Sequence, residues 1–145
     1  MNLKNLSLAG LALALIAILS LLFTQSFFAF EPVGITIQVL AALLMVWARL
    51  TFGRRSFHAG ATPTEGGLVT TGPYRFFRHP IYAAVLYFAW TGIVVHFSLS
   101  TSLLGIALTA GLSIRMLAEE RLVAEKYPEY AAYAARTKRV IPYIL

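Results

Sequence analysis

Four uncharged, apolar stretches constrain the fold more than any other feature of this sequence. They are Leu6–Phe30, Val33–Ala48, Ile81–Phe97 and Leu99–Ile114. A transmembrane helix needs about 20 predominantly apolar residues, so four spans fit and a fifth does not. With 59% hydrophobic and 12% charged residues, the chain has the composition of a membrane protein. We therefore predict an all-α, polytopic membrane protein with about four transmembrane helices in a single domain, 1–145.

The apolar stretches divide the predicted domain into four parts. These are spans one and two (1–52), a cytoplasmic loop (53–79), a hairpin of spans three and four (80–118) and a cytoplasmic, helical C-terminal extension (119–145). The few residues between spans three and four make their hairpin antiparallel. Span four is expected to continue as a polar helix to Tyr127-Pro128, because proline disfavours helix at the residue before it. The first stretch is longer than the apolar region of a signal peptide, so we expect it to be retained.

Basic residues mark one side of this predicted topology. They precede span one, surround the 53–79 loop or follow span four: Lys4, Arg49, Arg54, Arg55, Arg75, Arg78, Arg115, Arg121, Lys126, Arg136, Lys138 and Arg139. The opposite loops contain a single charged residue, Glu31. The positive-inside rule therefore predicts that both termini and the 53–79 loop are cytoplasmic. Topology accounts for the net charge of +6, so we predict contact with membrane lipids and no nucleic-acid partner.

A first polar cluster covers Gly72 to Tyr82, where arginines, tyrosines and a histidine gather at the start of span three. Pro80 fixes His79 at the N-terminus of this helix, where free backbone amides and the helix dipole favour an anion. Interfacial anchoring is the alternative interpretation, since aromatic and basic residues also collect at membrane surfaces. Within span two, Gln38 is expected to bond a neighbouring helix, with substrate contact as the alternative.

A second polar cluster is Arg115-Met116-Leu117-Ala118-Glu119-Glu120. Arg115 and Glu119 are four residues apart and share a helix face, which alone would indicate only a weak ion pair. The hairpin, however, returns this helix to the end of the bundle that holds His79. We therefore expect both clusters to face one cavity. No metal site is predicted, because the chain has no cysteine and its histidines are not at ligand spacing.

These elements resemble the isoprenylcysteine carboxyl methyltransferase family, which is related more distantly to membrane phospholipid methyltransferases. The resemblance covers about residues 65–142. Its marks follow one another in the family's order: Leu68-Val69-Thr70-Thr71-Gly72-Pro73-Tyr74, Arg78-His79-Pro80-x-Tyr82, Arg115-x-x-x-Glu119-Glu120, and Tyr127, Tyr130 and Tyr133 with Arg139-x-x-Pro142. Tyr127-Pro128 departs from the Phe-Gly pair of many members, which leaves the register of the C-terminal segment open.

The resemblance implies an S-adenosylmethionine-dependent carboxyl O-methyltransferase acting on a lipophilic acceptor, such as an isoprenylcysteine. It implies that His79 and the amides of span three hold the cofactor carboxylate, that Glu119 holds its ammonium, and that Arg115 contacts the acceptor. The cofactor residues it implies are Gly66, Gly67, Leu68, Val69, Tyr74, His79, Pro80, Ile81, Tyr82 and Glu119. An ionised carboxylate needs no general base, so the protein would contribute mainly proximity and water exclusion.

Two alternatives remain. Membrane enone and sterol reductases that use NADPH carry segments similar to Arg78-His79-Pro80-x-Tyr82. A non-catalytic membrane scaffold, whose charged end only fixes topology, is the other. The short chain and the Arg115-x-x-x-Glu119-Glu120 element favour the methyltransferase.

Overall fold

The computed structural model describes residues 2–53 and 67–141, and within them the protein is all-α. Its helices are α1 (Leu3–Phe23), α2 (Pro32–Phe52), α3 (Pro80–Val95), α4 (Leu99–Lys126) and α5 (Tyr130–Arg136), with a 3-10 helix at Gly72–Arg75. One isolated parallel bridge joins Phe77 to Lys138. The predicted all-α class is confirmed. Gly66 of the predicted cofactor site and Pro142 of the Arg139-x-x-Pro142 element lie outside the described residues.

Three helices, α1, α2 and α4, are long and apolar enough to cross a membrane. The fourth apolar helix, α3, has 16 residues and is shorter. At 1.5 Å per residue it is about 24 Å long, against a hydrocarbon core of about 30 Å. The polytopic membrane architecture is therefore confirmed, with three full-length candidate spans and one shorter apolar helix.

The helix boundaries follow local chemistry. Pro32 and Pro80 occupy first-turn positions, where the missing N–H of proline costs nothing. Ser98 and Thr101 form a capping box that starts α4. This helix runs without a break to Lys126 and ends at Tyr127, directly before Pro128. Its uncharged part ends at Ile114, so residues 115–126 form a polar continuation.

Helix α1 ends at Phe23, seven residues before the end of the apolar stretch from which it was predicted. After Phe23 the chain turns, and the side chain of Gln38 in α2 bonds the backbone that follows the turn. Its side-chain oxygen accepts from the Ala29 amide at 3.0 Å, while its nitrogen donates to the carbonyls of Phe27 at 2.8 Å and Phe88 at 3.1 Å. Since Phe88 belongs to α3, Gln38 makes the interhelical contact that the sequence predicts. The search for uncharged stretches did not reveal this break, because Thr24, Gln25 and Ser26 at the turn are polar but carry no charge.

Small residues bring α1 and α4 into close antiparallel contact. The buried face of α1 repeats every three or four residues: Ser7, Gly10, Ala14, Ala17 and Leu21. A Cβ added to Gly10 would lie 2.6 Å from the carbonyl oxygen of Gly111 and 3.2 Å from the backbone nitrogen of Arg115. Such backbone proximity is typical of helix pairs in membranes, where packing replaces the hydrophobic effect. Helix α1 therefore supports α4 directly at Arg115.

The hairpin of α3 and α4 brings their polar ends together. Near the hairpin turn, the indole nitrogen of Trp90 donates to the Thr109 hydroxyl at 3.0 Å, and Gly105 leaves room for the Trp90 ring. The other end of the hairpin is where α3 begins and where the polar continuation of α4 lies. We call this the charged end of the bundle, and it contains the candidate site.

Candidate functional site

His79 and Tyr82 form the α3 side of the site. His79 is the N-cap residue of α3, and Pro80 follows it in the first turn. The rings of His79 and Tyr82 stack, with centroids 5.6 Å apart and planes 22° from parallel. The tyrosine hydroxyl points at α4.

Arg115 and Glu119 form the α4 side and meet Tyr82. The Tyr82 hydroxyl donates to Glu119 Oε1 at 2.7 Å and accepts from Arg115 Nε at 2.6 Å. Arg115 Nη2 lies 3.0 Å from the same glutamate oxygen. The three side chains therefore form a closed triangle of charge-assisted hydrogen bonds, of the kind that is shorter and stronger than neutral ones.

Arg115 is unusual for an arginine because the residue is only 4% exposed. Its Nε and Nη2 are bonded, but its Nη1 is buried without a hydrogen-bond partner in the described part of the chain. A buried donor left unpaired costs about 1–3 kcal/mol, and more when it is charged. The guanidinium therefore retains unused capacity for an anion.

Glu120 is the centre of a second set of contacts. His79 Nε2 lies 3.1 Å from its Oε1, Arg139 Nη2 lies 3.0 Å from its Oε2, and Arg78 Nε is 3.5 Å from its Oε1. Burial alone would raise the pKa of Glu120, but the hydrogen bonds from His79 and Arg139 and the nearby charges of His79 and Arg78 lower it to about 2. Glu120 is thus a firmly ionised carboxylate. We refer to these residues, Arg78, His79, Tyr82, Arg115, Glu119, Glu120 and Arg139, as the glutamate cluster.

The C-terminal segment after α5 lies along the residues that precede α3. The amide of Arg78 donates to the Lys138 carbonyl at 2.6 Å, and the amide of His79 donates to the Arg139 carbonyl at 3.0 Å. Farther along, the Tyr87 hydroxyl donates to the Val140 carbonyl. The backbone of His79 is therefore positioned by Arg139, and its imidazole ring is positioned by Glu120.

The structure brings together four of the predicted site residues, namely His79, Tyr82, Arg115 and Glu119. Pro80 and Ile81 belong to the same first turn of α3. Tyr74 is buried in the 3-10 helix, where its ring is 5.4 Å from that of Phe52 and its carbonyl accepts from the Tyr133 hydroxyl at 2.8 Å. Burial raises the pKa of the Tyr74 hydroxyl.

The remaining predicted cofactor residues lie on the segment before the 3-10 helix. Gly67 has a φ of +79°, a conformation that suits glycine. Leu68 and Val69 are half-buried. Gly66 lies outside the described residues. The roles assigned to this segment therefore remain predictions.

Sequence reasoning missed the role of Glu120 and its partner Arg139. One signal was available. Glu119 has an arginine four residues before it, but Glu120 has Met116, so a buried Glu120 needs a cation from another segment. Arg139 of the Arg139-x-x-Pro142 element is that cation. It lies 19 residues after Glu120, so the contact could not be recognised from local spacing.

In residues 2–53 and 67–141, no group of three or more histidine, cysteine, aspartate or glutamate side chains has an arrangement that could hold a metal ion. His96 lies at the other end of α3, where its Nε2 is 2.9 Å from the Phe28 carbonyl. The polar chemistry of the charged end is therefore that of arginines, carboxylates, one histidine and tyrosines.

Comparison with known proteins identifies a family and a curated relative. Residues 34–125 match the model of the isoprenylcysteine carboxyl methyltransferase family. The cobalt-zinc-cadmium resistance protein CzcN of Cupriavidus metallidurans is 34% identical over 76 residues, which are 52% of this chain and 35% of that protein. The matched part of the chain thus spans about a third of the length of this curated relative. The search of solved structures found no match.

Proposed function

The chain belongs to the isoprenylcysteine carboxyl methyltransferase family, and on this premise we propose that it is a membrane methyltransferase that uses S-adenosylmethionine to methylate the carboxylate of a lipophilic acceptor. The observation that carries the proposal is the buried guanidinium of Arg115, whose unpartnered Nη1 lies on the same residue that Glu119 and Tyr82 hold in position. A buried cation with one free donor suits an anionic acceptor.

Glu119 fits the ammonium of the cofactor. Its side chain is 20% exposed, against 11% for Glu120, so it is the more accessible of the two carboxylates. Its Oε1 accepts from Tyr82 and Arg115, whereas its Oε2 lies 4.0 Å from His79 Nδ1, beyond hydrogen-bond distance. Oε2 therefore retains the acceptor capacity that an ammonium group needs.

The first turn of α3 fits the cofactor carboxylate. The first amides of a helix have no carbonyl within the helix to receive them, and the dipole adds positive potential there. Ile81 and Tyr82 supply such amides behind Pro80. His79 is adjacent, but its Nε2 bonds Glu120, so the backbone amides are the better donors for this anion.

The residues Gly66 to Val69, together with Tyr74, are proposed to hold the adenosyl group, as in the family's pattern. When bound, S-adenosylmethionine supplies an electrophilic methyl group on a sulfonium, and this sulfur becomes a neutral thioether once the acceptor carboxylate oxygen has taken the methyl. Arg115 would orient that carboxylate, and Tyr82 would keep the guanidinium in place. No residue has to remove a proton, since the acceptor is already ionised. By the positive-inside rule, we propose that the charged end and both termini are cytoplasmic.

The direct test is a tritiated methyl-transfer assay with purified protein, S-adenosylmethionine and a panel of prenylcysteine analogues and lipid extracts. Calorimetry with S-adenosylhomocysteine in detergent measures the cofactor site by itself. We expect Glu119→Ala to weaken cofactor affinity by about tenfold or more, as the loss of a charge-assisted hydrogen bond implies. We expect Arg115→Ala to act mainly on turnover.

Arg121→Ala is the matched control, because Arg121 is an exposed arginine on the same helix. It should bind cofactor and methylate like the wild type. The site assignment would be wrong if the Glu119 and Arg115 variants behaved like this control. Absence of any S-adenosylhomocysteine binding by the wild type would refute the proposal as a whole. NADPH oxidation with an enone lipid would instead support the reductase alternative.

A further inference from the structure

A second polar feature of the charged end lies outside the glutamate cluster. It is a cavity of about 260 Å³ lined by Thr70, Arg75, Tyr133, Arg136 and Thr137. These residues come from the segment before α3 and from α5 with the residue after it. None of them belongs to the predicted site. We call this space the arginine cavity.

The arginine cavity has an unbalanced positive charge. Arg78, Arg115 and Arg139 of the glutamate cluster each face a carboxylate. By contrast, neither Arg75 nor Arg136 is within salt-bridge distance of a carboxylate in the described part of the chain, and the described residues of the lining include no acidic one. Both guanidinium groups border one cavity and are exposed, so an anion between them would offset the part of their repulsion that the solvent does not screen.

The hydrogen-bond donors that remain in the described lining belong mainly to its two arginines, because two of its hydroxyls already donate elsewhere. The Tyr133 hydroxyl already donates to the Tyr74 carbonyl, and the Thr137 hydroxyl donates to the Tyr133 carbonyl at 2.8 Å. Arg136 donates its Nε to the Ala132 carbonyl at 3.2 Å, and its terminal nitrogens have no hydrogen-bond partner within residues 2–53 and 67–141. The guanidinium of Arg75 lies 5.1 Å from the centre of the Phe76 ring, a contact that fixes its plane and uses none of its N–H groups.

From these observations we propose that the arginine cavity binds a phosphate group, carried by an anionic lipid headgroup or by a soluble phosphate. Planar guanidinium groups with paired donors match the oxygens of a phosphate, and two of them can hold one such group from two sides. The size is adequate, because a cavity of about 150 Å³ already admits a benzene-sized molecule. Both sources are chemically reasonable at the charged end of a membrane domain, where basic residues meet anionic lipids.

The test uses the full chain in nanodiscs of neutral phosphatidylcholine. In one arm, phosphatidylglycerol replaces a rising fraction of the lipid, and in the other, inorganic phosphate is added to the neutral nanodiscs at constant ionic strength. Thermal unfolding is the readout, because a ligand that binds only the folded state raises its midpoint. A rise with phosphatidylglycerol alone identifies a lipid headgroup, and a saturable rise with inorganic phosphate identifies a soluble anion.

Arg75→Gln with Arg136→Gln should abolish the rise, whereas Arg75→Lys with Arg136→Lys should retain part of it by charge alone. Both arginines are exposed, so these replacements leave the core intact. The matched control is Lys4→Gln with Arg121→Gln, which removes two exposed charges from the same end and should keep the full rise. No rise in either arm for the wild type, or an equal loss in the control, overturns the proposal.

A third measurement separates this proposal from the proposed function. If the cavity were part of the cofactor pocket, the Arg75 and Arg136 double variant would lose S-adenosylhomocysteine affinity. We expect its affinity to equal that of the wild type. A loss comparable to that of Glu119→Ala would overturn the phosphate site and leave the methyltransferase proposal standing.

Discussion

Gly10→Ala tests how far α1 controls the position of Arg115. The added Cβ would lie 2.6 Å from the Gly111 carbonyl oxygen, whereas ordinary contacts begin near 3.4 Å, so the helices must separate by about 0.8 Å. Overpacking of this kind costs about 1–3 kcal/mol. Alanine also favours a helix over glycine by about 0.8–1.0 kcal/mol, which opposes the loss.

The net expectation is a destabilisation of up to about 2 kcal/mol, which lowers the unfolding midpoint by about 2–4 °C per kcal/mol in a chain of this size. The same Cβ would lie 3.2 Å from the Arg115 backbone nitrogen, so the guanidinium shifts with α4. A misplacement near 1 Å can reduce a rate by about 100-fold, and we expect turnover to fall while S-adenosylhomocysteine affinity changes less.

Thermal unfolding in detergent measures the loss of stability, and tritiated methyl transfer measures the fall in turnover. Ala12→Val is the matched control, because it enlarges an exposed residue of the same helix. The stability test does not depend on the proposed function. If Gly10→Ala raised the unfolding midpoint, as helix propensity alone predicts, the close contact of α1 and α4 would be refuted.

Three further predictions concern other parts of the molecule. Because the folded-state pKa of Glu120 is about 2 and its ordinary value is 4.5, its contribution to stability is complete above about pH 4.5 and is lost as the pH falls toward 2. The free energy of unfolding of Glu120→Gln should therefore change less with pH between about 4.5 and 2 than that of the wild type. An unchanged pH dependence would contradict the contact with Arg139. Gln38→Leu removes the side-chain partner of the Ala29 amide and of the Phe27 carbonyl and should destabilise the fold by about 2 kcal/mol or more in thermal unfolding; a neutral effect would argue against a stabilising role of Gln38 at the turn after α1. Ser98→Ala removes the capping box of α4 and should cost about 1 kcal/mol by the same measurement, whereas no loss would mean that the hairpin turn does not need it.

The sequence predicts the membrane architecture well because apolar length is a direct signal. It also predicts the uninterrupted course of α4 to Tyr127 and the meeting of the two polar clusters at the end of the bundle that holds His79, since a short turn leaves the hairpin a single arrangement. The hydrogen bonds of Tyr82 with Arg115 and Glu119 were not predicted. The interhelical role of Gln38 follows from the cost of an unpaired amide in hydrocarbon.

Other features depend on tertiary contacts that leave only weak local signals. The spacing of the small residues in α1 indicates which face of the helix packs against another helix, but it does not indicate that this helix is α4. The end of α1 at Phe23 depends on Gln38, which lies 15 residues farther along the chain. Arg139 reaches Glu120 only because the C-terminal segment pairs with the backbone at Phe77, and one isolated bridge has no periodicity by which it could be recognised.

The shortness of α3 has a consequence for the surrounding bilayer. A helix about 6 Å shorter than the hydrocarbon thickness is accommodated by local thinning of the membrane or by drawing its flanking polar groups inward. Either response reduces the distance between the hydrocarbon and the residues Tyr82 and Arg115 on this side of the bundle. We therefore expect the acyl-chain length of the host lipid to tune how readily an amphiphile presents its headgroup to Arg115 while its tail stays in the membrane.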